Sequence, residues 1–157
     1  MDTRTPAQRS KIMSSIGSTN TKPEMCVRRL LHRMGYRYRI HAKDLSGRPD
    51  IVFRSKKRVI FVNGCFWHFH HKCKSKKRLP ASRISFWKSK LTRNRARDQK
   101  NHSDLRKNGW KVLVIWECDL KNDERLCRIL TTFMKDEVIG ISEESFNDFR
   151  AAKMKTA

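Results

Sequence analysis

Gly47-Arg-Pro-Asp50-Ile-Val-Phe53, followed after Arg54-Ser-Lys-Lys-Arg58 by Val59-Ile-Phe-Val62-Asn63, is the stretch that decides the fold. Two short apolar runs separated by a polar, turn-forming segment read as buried strands joined by a hairpin. The first run opens on Pro49-Asp50 after the turn-rich loop Asp44–Pro49. Upstream, Tyr36-Arg-Tyr38-Arg-Ile40 alternates like a half-buried strand, and Val27, Leu30, Leu31 and Met34 stand at the spacing of an amphipathic helix. Thr21-Lys-Pro-Glu24 fits a capping box at that helix's start, and Gly35 suits its stop. Thr5-Pro6 begins a shorter helix that runs to Met13 and is broken by Gly17–Asn20.

Downstream, no periodicity survives from Asn63 to Arg83, where Cys, His and Lys crowd together. Ser82 or Ser85 can cap a long polar helix reaching about Lys107, with Gly109 as its stop. Trp110-Lys-Val-Leu-Val-Ile-Trp116 is the most apolar strand, and Leu126, Ile129, Leu130 and Phe133 mark a last amphipathic helix. The order α-α-β-β-β-loop-α-β-α predicts an α/β fold, a central mixed sheet flanked by helices. One domain is expected over residues 1–135, including an N-terminal helical arm (1–20), with 136–157 as a weakly patterned appendage.

Composition narrows the partner. Among 157 residues, 37 Lys and Arg face 15 Asp and Glu, a formal charge of +22. Residues 121–157 hold seven bases and seven acids, so the whole excess lies in residues 1–120. It is densest from Lys72 to Lys111, with fifteen bases against Asp98 and Asp104. Such a field attracts a phosphate backbone. The N-terminus has no apolar signal region, and no run nears the ~18 apolar residues of a membrane span, so an intracellular protein is expected.

An odd cysteine count, five, argues against a disulfide framework. Cys26 and Cys127 fall on predicted helices and read as small packing residues. Cys65, His70 or His71, and Cys73 share one irregular loop, and Cys118 ends the apolar strand. Together they match a Cys₃His zinc site, which would pin a loop too basic to build its own core. The competing reading leaves these side chains unconnected, or gives the histidines to catalysis.

The Pro49-Asp50 strand followed by a second buried strand resembles the core of the restriction-endonuclease-like nucleases. There an acid-x-Lys lies on the second strand; here Val62-Asn63-Gly64 stands in its place. That replacement points to a narrower group. Asn63-Gly-Cys65-Phe-Trp67-His68-Phe-His70, with Gly47-Arg-Pro-Asp50 before it and Trp110-Lys-Val-Leu-Val-Ile-Trp116-Glu-Cys118 after it, resembles the very-short-patch-repair (Vsr-type) DNA mismatch endonucleases. The likeness runs from about Arg9 to about Leu130.

The resemblance implies a bacterial, cytoplasmic, DNA-associated nuclease that nicks one strand of duplex DNA. The cut falls 5′ of the thymine in a T:G mismatch, a product of 5-methylcytosine deamination, and opens very short patch repair. It implies Asp50 as a ligand of Mg²⁺, with backbone carbonyl oxygen near Val62, and His68 as the catalytic histidine that takes up or orients the attacking water's proton. Asn63 departs from relatives with a second histidine there; an amide can bond a phosphate or a metal-bound water but carries no proton. Glu24 matches a family glutamate near the metal water network, though the capping-box reading fits it equally. The implied zinc ligands are Cys65, His70, Cys73 and Cys118, with His71 as a substitute because an extra residue precedes Cys73.

Phe66, Trp67 and Trp87 match an aromatic wedge beside the weakly stacked mismatch, and Met13 the residue inserted from the opposite groove. Away from the motif, Phe66-Trp67 reads as a core pair. Trp87, Leu91, Asn94 or Arg95, Asp98 and His102 line one face of the long helix, expected to face DNA or the metal site, with Lys88, Lys90, Arg93 and Arg97 as phosphate contacts. A monomer suffices for one nick, and mismatch-repair proteins are implied partners. The alternatives are a related nuclease without mismatch selectivity and a non-catalytic zinc-containing nucleic-acid-binding protein.

Overall fold

The computed structural model describes residues 5, 7–8, 19–70, 73, 79 and 83–135. Met13 with most of the N-terminal arm, His71, and the expected appendage 136–157 lie outside the described residues. Of the first helix, Ala7 and Gln8 are helical. Thr5 closes its start reciprocally: the Thr5 N–H donates to Gln8 Oε1 (2.9 Å) and the Gln8 N–H to Thr5 Oγ1 (3.3 Å).

Helix α1 spans Lys22–Arg33, and Thr21 caps it by accepting the Glu24 N–H (3.4 Å). Strands β1 (Arg39–Ile40), β2 (Ile51–Phe53), β3 (Arg58–Asn63) and β4 (Lys111–Trp116) form one sheet in the order β1-β2-β3-β4. The first three pair antiparallel and β3 pairs parallel with β4, Asn63 opposite Trp116. A parallel neighbour requires a long crossover, supplied by α2 (Ile84–Lys107). A 3₁₀ turn over Glu117–Lys121 leads into α3 (Asp123–Met134), capped by Asn122. The sheet is thus mixed and flanked by helices, as expected from the sequence.

Side-chain alternation along the strands builds two cores. Ile51 and Phe53 of β2, Ile60 of β3 and Ile115 of β4 point to one face, where α1 brings Val27, Leu30 and Leu31 and α3 brings Leu126 and Leu130. Val52, Val59 and Phe61 point to the other, against Leu105 of α2 and Ala42. With both faces covered, the middles of β2, β3 and β4 are apolar on both sides, hence the apolar runs in the sequence, and polar Arg58, Asn63 and Lys111 stand at strand ends.

Three local expectations are corrected. The alternating segment Tyr36–Ile40 contributes only Arg39 and Ile40 to the ladder. Tyr36 and Tyr38 instead set their rings edge-on to Phe53 (6.1 Å each), and the Tyr38 hydroxyl donates to the Arg28 carbonyl (2.9 Å). The N-cap of α2 is Arg83 in the left-handed region (φ 61°) with no side-chain cap bond; Ser85 lies within the helix, and Ser82 lies outside the described residues. Cys26 is exposed on α1, whereas Cys127 is buried as expected.

The loop that delivers Asp50 turns at Gly47, whose φ is +76°. A Cβ there would stand 2.9 Å from the Cβ and Nδ2 of Asn101 on α2. Gly35, with φ +85°, has open space around it. Gly35→Ala should cost only the left-handed backbone penalty of about 1–2 kcal/mol, and Gly47→Ala clearly more. Urea unfolding of the two variants checks this; equal midpoints would show that the loop does not rest on α2.

Candidate functional site

The start of β2 and the end of β3 bring Asp50 into the protein. Its Oδ2 accepts the Val62 N–H (2.7 Å), so the Val62 backbone lies directly beside the carboxylate. Burial pushes the Asp50 carboxyl up to about 6; the Val62 N–H opposes this, Glu24 raises it further, and His41 and His68 pull it down.

Glu24 comes from α1 and is 2% exposed. Its N–H completes the Thr21 cap, but its carboxylate lies 3.0 Å from His41 Nε2 and 3.5 Å from Arg28 Nη1. The two readings of Glu24 thus divide between its backbone and its side chain. Ligand atoms of Glu24, His41 and Asp50 all lie within 4.8 Å of one another. Glu24 Oε1 and His41 Nε2 are both buried and lack a hydrogen bond, since their approach is close but misaligned. Two carboxylates and an imidazole converging, with Glu24 Oε1 and His41 Nε2 without a hydrogen bond, fit a divalent cation.

Beyond β3, the segment Gly64–His70 coils on itself: the His68 N–H donates to the Gly64 carbonyl (3.2 Å) and the His70 N–H to the Cys65 carbonyl (3.0 Å). This coil presents His68 and His70 to different partners. His68 Nδ1 pairs with Asp98 Oδ2 of α2 at 2.5 Å. A carboxylate on Nδ1 fixes the ring's orientation and tautomer and leaves Nε2 as the working nitrogen. Asn63 is buried at the strand end. His102, four residues beyond Asp98, lies against the Phe61 ring (4.7 Å), and burial lowers its pKa.

Cys65, His70, Cys73 and Cys118 form a second cluster, again with ligand atoms within 4.8 Å of one another. His70 Nδ1 stands 3.6 Å from Cys65 Sγ and 3.4 Å from Cys118 Sγ, and its ring stacks on Trp116 (4.1 Å, 6°). The parallel β3–β4 pairing brings Cys118 alongside Cys65. The Cys65 N–H donates to Glu117 Oε2 (3.3 Å), tying the loop to the 3₁₀ turn. Burial pushes the Cys65 thiol up to about 12 and raises Cys118 as well. Crowded thiols resist ionising together, and a cation among them removes that penalty. Trp116 is half-buried and carries this imidazole on its face.

Phe66, Trp67 and Trp87 meet as an aromatic cluster, ring centroids 5.1–6.1 Å apart. All three are half-buried, and Phe86, 44% exposed, packs edge-on to Trp87 (5.5 Å). Lys90 Nζ lies over Trp87 (5.5 Å) and Trp67 (5.9 Å). Lys88, Arg93 and Arg97 are exposed on α2. Asn94 donates its amide to the Trp67 carbonyl (3.2 Å), bracing the aromatic loop.

The fold therefore gathers Asp50, Glu24 and the Val62 backbone at one place, with the His68 ring near enough to act on the Asp50 charge. Sequence reasoning missed His41, for which no pattern gave a signal. It placed Asp98 on the inner face of α2 without a role; a lone pair of acids among fifteen bases was the available clue.

Comparison with known proteins agrees with this architecture. The family model described as DNA mismatch endonuclease Vsr matches residues 1–75. The chain is 49% identical over 121 residues to the type II nicking enzyme V.XorIIP of Xanthomonas oryzae pv. oryzae, covering 77% of this chain and 88% of that protein. It is 46% identical over 127 residues to the type II nicking enzyme V.NmeAIP of Neisseria meningitidis, covering 81% and 89% respectively. It is 39% identical over 140 residues to the DNA mismatch endonuclease Vsr of Escherichia coli K12, covering 88% of each. On the strength of likeness over most of both lengths, the chain belongs to the Vsr family of DNA mismatch endonucleases.

Proposed function

We propose that this chain is a Mg²⁺-dependent endonuclease of restriction-endonuclease-like core that nicks duplex DNA 5′ of the thymine in a T:G mismatch. The observation that carries the reading is the half-buried Asp50 carboxylate, converging with Glu24 and His41 and taking the Val62 N–H, with the Asp98-braced His68 on the coil that follows β3. Asp50 and Glu24, with the Val62 backbone, are the residues to hold Mg²⁺; the ion, when bound, polarises the scissile phosphate and acidifies a water. His68, its Nδ1 held by Asp98, takes up or directs that water's proton through Nε2. Asn63 can only hydrogen-bond, so proton handling falls to His68.

Zn²⁺ suits the Cys65, His70, Cys73 and Cys118 cluster, a closed tetrahedral donor set with a structural role. Phe66, Trp67 and Trp87 serve as the wedge beside the mismatch, where unstacking costs less than in intact duplex. Lys88, Arg93 and Arg97 meet phosphates, with Asn94 holding the wedge loop, and Met13 enters from the N-terminal arm. The protein acts as a monomer in the bacterial cytoplasm, with mismatch-repair proteins downstream. Among the described residues no helix is long and apolar enough to cross a membrane. Asn63, where some relatives have a histidine, keeps as second reading a non-catalytic zinc-containing nucleic-acid-binding protein, because an amide carries no proton.

A labelled duplex with one T:G pair, beside its T:A control, tests the proposal. Nicking is expected only at T:G, only with Mg²⁺, and not by Asp50→Asn, which should still bind within several-fold. Equal cutting of both duplexes would remove mismatch selectivity, cutting of neither would establish the second reading, and cutting by Asp50→Asn would remove the metal site.

The raised Asp50 pKa gives a stability signature. The folded chain holds a proton on Asp50 between about pH 4 and 6 that the unfolded chain has lost, so this contribution is full below pH 4 and lost as pH rises through about 6. Without magnesium, Asp50→Asn should therefore melt above the native protein at pH 7.5, by up to about 3 kcal/mol. The gap should close by pH 4. A pH-independent gap would mean that burial does not penalise the Asp50 charge.

Elemental analysis should find one zinc per chain, and Cys65→Ser should lose both the zinc and the cooperative unfolding transition. Native folding in a zinc-free preparation would exclude a structural metal.

A further inference from the structure

His41 lies outside every motif that marks the family resemblance, yet it points at the same spot as Asp50 and Glu24. Its backbone is left-handed (φ 48°), a conformation disfavoured for a residue with a Cβ. Two restraints hold it there. It follows β1 directly, and its N–H donates to the Asp50 carbonyl (3.4 Å). The imidazole is therefore fixed to the very residue whose carboxylate it faces.

The ring's Nε2 is buried and makes no hydrogen bond, although Glu24 Oε1 is only 3.0 Å away. Glu24 itself is 2% exposed, and its Oε1 is equally without one. An N–H aimed at that oxygen would have made a strong charge-assisted bond at this distance. Both atoms keep bonding capacity, although Arg28 Nη1 also stands 3.5 Å from Glu24 Oε1, and Asp50 offers an oxygen within 4.8 Å of them. An imidazole donor among carboxylates alters the preference of such a site: hard Mg²⁺ gains little from nitrogen, whereas transition ions gain much.

We propose that His41 is a direct ligand of the divalent cation held by Asp50 and Glu24, making a two-carboxylate, one-imidazole site that binds Mn²⁺-class ions more tightly than Mg²⁺. The inference rests on the cation reading of Asp50 given above. It also supplies nitrogen chemistry at a centre whose strand-end position carries Asn63 in place of the relatives' histidine.

The test uses the full chain and two probes, Mg²⁺ and Mn²⁺, each titrated calorimetrically. His41→Asn is the main variant because asparagine tolerates a left-handed backbone; His41→Gln is the second, and thermal melts confirm that both fold. Mn²⁺ affinity should fall about tenfold or more in both variants, with Mg²⁺ affinity changed less than about threefold. Electron spin-echo spectra of bound Mn²⁺ should show ¹⁴N modulation in the native chain and lose it in His41→Asn. Modulation that survives the substitution, or unchanged Mn²⁺ affinity, overturns the role of His41. Asp50→Asn separates the two levels: if it binds both ions like the native chain, the underlying cation site is wrong as well. If it alone loses them, the site stands without His41.

Discussion

A carboxylate taken out of water and given one backbone N–H is the constraint around which this molecule is arranged. Asp50 sits at the mouth of β2 with the Val62 N–H as its hydrogen bond, and Glu24, itself buried, is a second negative charge nearby. Desolvation and like charge both work against ionisation, and the two histidines only partly oppose them. Such a site costs stability unless a proton or a cation joins it. The elements that impose this cost are the ones that make the core. α1 buries Glu24 with the same face as Val27 and Leu31, and β3 lends the Val62 N–H from a strand buried on both sides.

The framework was legible because its periodicities were clean. The apolar runs Val59–Val62 and Val112–Trp116 correspond to strands with side chains packed on both faces, and the spacing of Val27, Leu30 and Leu31 to a helix with one. The hairpin and the crossover follow from turn chemistry and strand order. Local errors arose where side chains replaced backbone as the restraint. The Tyr36–Ile40 alternation is real, but the tyrosines use it to reach Phe53 and α1 instead of extending the ladder. At the start of α2, a left-handed Arg83 does without the serine cap that spacing suggested.

The candidate site was legible in pieces whose joining needed three dimensions. Thr21-Lys-Pro-Glu24 has one spacing for two roles, and only the burial of the carboxylate reveals that the backbone caps while the side chain faces Asp50. Cys118 is far from Cys65 in sequence, and the parallel register of Asn63 with Trp116 closes that distance. His41 was invisible, because a single histidine after a two-residue strand has no pattern, and its placement depends on a φ that sequence does not disclose.

The long helix explains how the aromatic cluster and the imidazole come to be held in fixed relation. Trp87, Leu91, Asn94, Asp98, His102 and Leu105 recur at steps of three or four, so they form one seam along α2. At one end the seam touches Phe66 and Trp67, in its middle it braces the Trp67 carbonyl and then His68, and at the other it packs on Phe61 and enters the core. A polar seam on a helix this long would be hard to hold by burial alone, since Leu91 and Leu105 are its buried residues. Directional bonds to the Gly64–His70 coil supply the rest. Trp67 and His68 are neighbours in sequence, yet each has its own contact on α2 four residues apart, at Asn94 and Asp98. The coil cannot turn at one of these contacts without straining the other. The aromatic proposed to meet the mismatch and the imidazole proposed to handle a proton are thereby held together, set by helix geometry.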